Sequence, residues 1–135
     1  MHFKVLYIIP TLHPGGAEYQ TINQVNYMYN TLSIDVHLVV IHDKVELIKN
    51  LQIPKHRIHV LGMKHKKFNH KYILSPDILK AQRQFAKILL DEEIDAIIAV
   101  LNPAHFLSRL TLWLRPSLKH IRLFSYYRNV YFQLA

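Results

Sequence analysis

The chain has 135 residues, half of them apolar, which is the size of one domain and leaves no room for a second. Seventeen Lys and Arg against nine Asp and Glu give a formal charge of +8, which favours an anionic partner without choosing among nucleic acid, phospholipid headgroups and phosphorylated ligands. The absence of cysteine excludes a disulfide framework and any Cys-based zinc site, and no apolar run approaches the roughly 18 uncharged residues of a spanning helix.

Val5 to Ile9 is an apolar run without polar alternation, as expected of a strand covered on both faces in a parallel sheet. The run is short and is followed by Pro10 and Pro14, not by a small-residue cleavage site, so a cytoplasmic chain is expected. Two of the three glycines, Gly15 and Gly16, stand immediately before a helical pattern that runs from Ala17 to Asn30 through Ile22, Val25 and Tyr29. Both glycines can adopt positive φ, and without a Cβ their N–H groups can approach an anion that also meets the helix N-terminus. Glu18 falls in the first turn, where a carboxylate suits the helix dipole.

A second strand is expected over Val36 to Ile41, followed by a short helix capped by Asp43 and ended by Ile53-Pro54. Arg57 to Leu61 reads as a third strand closed by Gly62, and the basic segment Lys64 to Lys71 after it reads as a loop. Ser75-Pro76-Asp77 is a helix start, with Ile78, Ala81, Phe85, Ile88 and Leu89 as its apolar stripe. Ala96 to Leu101 is a fourth strand, and Asn102-Pro103 opens a helix carrying Phe106, Leu107, Leu110 and Trp113. His120 to Tyr126 is a fifth strand, after which the chain reaches Ala135 without a helix to cover that strand.

This alternation predicts an α/β, doubly wound, mainly parallel Rossmann-like sheet of about five strands. Such sheets bind ligands beyond the carboxyl ends of their strands, where the loops Thr11 to Glu18, Asn102 to His105 and Tyr126 to Asn129 would meet. There is no Gly-x-Gly-x-x-Gly, Asp35 precedes the second strand where a ribose-binding acid would follow it, and the Gly-x-x-x-x-Gly-Lys phosphate loop is absent. Dinucleotide and phosphate-loop nucleotide domains are therefore not expected. Ten histidines bring no carboxylate or cysteine into a recognisable ligand set, so no metal site is expected.

Val5-Leu-Tyr-Ile-Ile-Pro-Thr-Leu-His-Pro-Gly-Gly-Ala-Glu18 resembles the opening of family 4 glycosyltransferases, which have the two-domain GT-B fold. Asp95 to Leu107 is similar to the fourth-strand segment of that family, and Phe124-Ser-Tyr-Tyr-Arg-Asn129 to its fifth-strand ending, with departures at Tyr127 and Pro103. The resemblance implies a metal-independent transferase that takes a nucleotide-sugar as co-substrate, uses no other cofactor and glycosylates a saccharide or lipid-linked acceptor. It assigns substrate contacts to Gly15, Gly16, Glu18, Asn102, Arg128 and Asn129, with His105 orienting an acceptor hydroxyl as the catalytic residue.

In the family the donor nucleotide and the paired glutamates lie in a C-terminal domain. Residues 1–135 are therefore expected to be a truncated acceptor-side domain, inactive without that domain or a separate donor-binding subunit. Lys64, Lys66, Lys67 and Lys71 are expected to meet an anionic membrane at its inner face, and no nucleic acid is expected. The alternative is a non-catalytic Rossmann-like module that holds an anionic partner.

Overall fold

A computed structural model describes residues 3–64 and 67–126. Five strands, β1 (Lys4–Ile9), β2 (Asp35–His42), β3 (Ile58–Met63), β4 (Ala96–Val100) and β5 (Arg122–Tyr126), form one sheet in the order β3-β2-β1-β4-β5. Every pairing is parallel, with Val5 opposite both Val36 and Ala96. The apolar runs become central strands because side chains alternate between two covered faces. Val5, Tyr7 and Ile9 of β1 pack beneath α1 (Gly16–Asn30), while Leu6 and Ile8 point into the core made with α3 (Pro76–Asp91) and α4 (Asn102–Leu114). The fold is therefore the doubly wound, Rossmann-like α/β domain expected.

Several local expectations are corrected. The segment Lys64 to Lys71 is not all loop, since α2 (His70–Ile73) begins in it. The Asn69 side chain caps that helix by accepting from the amides of Lys71 and Tyr72 at 3.0 and 3.3 Å, and Tyr72 is fully buried. Asp43 caps nothing: the turn after β2 is a 3-10 helix, Glu46–Asn50, that starts from Val45, and the Asp43 amide instead donates to the Met63 carbonyl. Trp113, read as part of the apolar stripe of α4, is 78% exposed, whereas Leu107 is buried. The fifth strand begins at Arg122, because residues 119–121 turn after a short 3-10 helix, Pro116–Leu118. Ser75, by contrast, caps α3 as its sequence implies, accepting from the Asp77 amide at 3.2 Å.

Strands β1 and β4 are neighbours, yet the chain leaves β1 towards β2 and leaves β4 towards β5, on opposite sides. The strand order thus reverses between them. In open α/β sheets a ligand crevice forms at that reversal, beyond the carboxyl ends, so the loop after Ile9 and the turn after Val100 flank it.

Candidate functional site at the strand-order reversal

The loop after β1 is built from both ends. Its first half is held by backbone hydrogen bonds to the end of β2 and the turn after it: His42 donates to Pro10, Leu12 to Lys44 and Leu47 to Leu12, at 2.9, 2.8 and 2.8 Å. Thr11 and Leu12 are consequently buried. The second half is closed by Glu18. Its carboxylate is buried, accepts from the Thr11 hydroxyl at 3.0 Å and lies 3.6 Å from the His13 ring.

Gly15 precedes α1 in extended backbone (φ −175, ψ 162), and Gly16 is the first helical residue. Neither takes the positive φ that the sequence suggests; that conformation belongs to Gly62 (φ 74). Gly15 matters here for a different reason. A Cβ there would stand 2.5 Å from Oε1 of Glu18, so the missing side chain is the space into which the carboxylate folds. The result is a close relative of a capping box, in which the third helical residue turns back over the residue that precedes the helix.

Across the reversal, Leu101 links β4 to α4 at φ 73 and ψ 165, a region almost restricted to glycine. The strain is held from both sides, since the Leu101 amide donates to Tyr126 at 3.0 Å and its carbonyl accepts from His105 at 3.1 Å. Asn102 is the exposed first residue of α4 and makes no side-chain cap. One turn on, Nδ1 of His105 is hydrogen-bonded to the Ser125 hydroxyl of β5. Burial, and then the neighbouring Arg109, lower the pKa of His105 below the ordinary histidine value. A neutral ring at pH 7 can exchange a proton or a hydrogen bond with a substrate hydroxyl.

Beneath the site, the Tyr7 hydroxyl on β1 donates to Gln24 of α1 at 3.1 Å; burial, aided by Tyr126, pushes its pKa up to about 12. It is a neutral strut between sheet and helix.

Gly15, Gly16 and Glu18 therefore sit on one flank of the reversal and Asn102 and His105 on the other. Arg128, Asn129 and Lys66 lie outside the described residues. Sequence reasoning missed Thr11, His13, Leu101 and Ser125, whose parts depend on contacts five or more residues away or on a backbone angle. Among the described residues no group of three or more His, Asp or Glu is arranged to hold a metal ion.

No family model matches the sequence, and no curated protein matches it. Among solved structures, the chain is similar to the crystal structure of a glycosyltransferase from Rickettsia africae ESF-5, with a TM-score of 0.60 at 18% identity. The match covers 92% of this chain and 29% of that one. At that identity the likeness is one of fold, so the class defined here is a Rossmann-like domain with a glycosyltransferase-like fold. The chain spans less than a third of the length of the protein it resembles.

Proposed function

We propose that these residues form the acceptor-side domain of a family 4, GT-B glycosyltransferase, which moves a sugar from a nucleotide donor to a saccharide or lipid-linked acceptor. The observation that carries the proposal is that the glycine-bearing loop and the His105 turn follow the adjacent strands β1 and β4 at the reversal of strand order. The similar fold of a solved glycosyltransferase supports it. In this reading the donor nucleotide is held by a second domain, of this or another polypeptide, and the loop and the turn form one wall of the cleft between them.

The roles follow from the chemistry of transfer. Negative charge grows on the leaving diphosphate as the glycosidic bond breaks, and fixed donors in the cleft stabilise it. The backbone N–H groups of Gly15 and Gly16 are assigned to that charge or to the donor sugar, and the Arg128 fork to phosphate or carboxylate. Asn102 and Asn129 are assigned to acceptor hydroxyls. His105, oriented by Ser125 and neutral at pH 7, takes part in the proton transfer from the attacking hydroxyl.

The test is titration of the isotope-labelled chain with nucleotide-sugars and with oligosaccharides, followed through backbone amide resonances. Shifts confined to 11–18 and 101–105, and lost in Gly16→Val, are expected. A response only to polyanions, salt-sensitive and confined to the basic segment after β3, would replace the transferase reading with that of a binding module.

A further inference from the structure

The sequence presents Lys64 to Lys71 as a run of charge, and the structure adds something that charge alone does not supply. Helix α2 is fastened from below: Tyr72 is fully buried, its hydroxyl lies 2.9 Å from Nε2 of His42, and its ring meets Phe68 edge-on at 5.2 Å. Phe68 in turn touches the ring of Phe106, the neighbour of His105 on α4. With Tyr72 turned inward, the next two residues are left outside. Ile73 is 40% and Leu74 79% exposed, at the junction between α2 and α3.

Exposed Lys64, Lys67 and Lys71 precede this pair along the chain, and exposed Lys80 follows it. Lys80, one turn into α3, shares with Lys64 a groove of about 320 Å³ beside the edge strand β3, whose lining also includes Asp77. Two exposed aliphatic side chains flanked in the sequence by exposed lysines match one surface above others: apolar groups enter the acyl boundary while cations remain among anionic headgroups. A soluble polyanion satisfies the charges and leaves Ile73 and Leu74 in water.

We infer that the α2–α3 junction docks on an anionic phospholipid membrane, with Ile73 and Leu74 inserted and Lys64, Lys67, Lys71 and Lys80 contacting headgroup phosphates. The Phe68–Phe106 contact ties this surface to the start of α4, so docking holds the His105 edge of the sheet close to the bilayer. The inference does not depend on the transferase reading, because vesicle binding requires no sugar.

Flotation with vesicles of phosphatidylcholine alone, and of phosphatidylcholine mixed with phosphatidylglycerol, tests it. The chain is expected to float with the mixed vesicles and not with the neutral ones. Each basic residue near an anionic surface changes partitioning about fivefold, so neutralising Lys64, Lys67 and Lys71 to Gln together should weaken binding on the order of 100-fold. The double variant Ile73→Ser, Leu74→Ser keeps every charge and should still lose roughly tenfold or more.

A second readout is tryptophan emission, which the only native tryptophan, the exposed Trp113, would otherwise mask. With Trp113→Phe as background, Leu74→Trp should shift its emission to the blue on mixed vesicles. Equal flotation with both vesicle types, or none with either, overturns the proposal. So does flotation with unmoved emission, and so does binding of heparin as tight as vesicle binding with no effect of the double serine variant.

Discussion

Gly15 shows how a residue's part can be hidden by its most familiar property. Its backbone is extended, which any residue adopts, and what matters is the space beside it, filled by the Glu18 carboxylate. Gly15→Ala would force Glu18 out of that space, breaking its contact with Thr11 and leaving a buried hydroxyl without its acceptor, at a cost of about 1–3 kcal/mol. Glu18→Ala removes the obstacle. Adding Gly15→Ala to Glu18→Ala should then cost much less than Gly15→Ala alone, a coupling of about 1 kcal/mol or more measurable by chemical denaturation of all four proteins. Strict additivity would mean that the two residues do not share the space. None of this is legible in the sequence, where the Gly-Gly pair announces a turn and Glu18 a favourable dipole. Leu101 is hidden for the opposite reason: leucine is among the last residues expected at φ 73, so only the fold reveals the strain.

At the scale of elements, β2 and β3 are joined by more than their ladder. His37 and His59 stack 12° from parallel, with Nδ1 of His37 3.3 Å from Nε2 of His59. Burial lowers the pKa of both rings; Asp35 and Glu92 oppose that at His37 while His59 and Arg57 add to it, and at His59 Glu92 opposes it while His56 adds to it. The folded protein therefore binds these protons more weakly than the unfolded chain, whose histidines titrate near 6.5. Stability from this pair is full above pH 6.5 and is lost as pH falls from that value through the lower values of the folded rings. Urea unfolding at pH 7.5 and 5.5 should show the loss, with a slope that is a fraction of the ~1.4 kcal/mol per pH unit that one full proton gives. His59→Gln keeps a hydrogen-bonding partner for His37 and should flatten the slope; an unchanged slope would assign the acid sensitivity elsewhere. The sequence placed His37 and His59 in separate strands and gave no sign that the register Val39 opposite His59 would bring their rings together.

For the whole molecule, the sheet was legible because its central strands are apolar on both faces, a pattern that needs no knowledge of partners. The helices α1, α3 and α4 were legible from their stripes and from the Ser75 cap, whereas α2 has four residues and no room for a period. The order of the strands could be expected only as a class, and it is the order that sets β1 beside β4 and so defines the crevice. The same order divides the site into unequal halves. The Gly15 loop hangs on β1, which has neighbours on both sides and whose Leu6, Ile8 and Ile9 are fully buried. Ser125 lies on the edge strand β5, where Arg122, Phe124 and Ser125 are exposed. Local opening follows burial and ladder position, so native-state hydrogen exchange should be slowest at Leu6 to Ile9 and faster, by roughly tenfold or more, at Leu123 to Tyr126. Opening of β5 would separate Ser125 from His105 while leaving Glu18 and Thr11 in place. The two flanks should accordingly respond differently to mild denaturant, with the His105 ring resonances changing before the amides of 11–18. Equal protection of β1 and β5 would show that the edge is fastened by contacts other than its ladder with β4, and that the two flanks open as one unit.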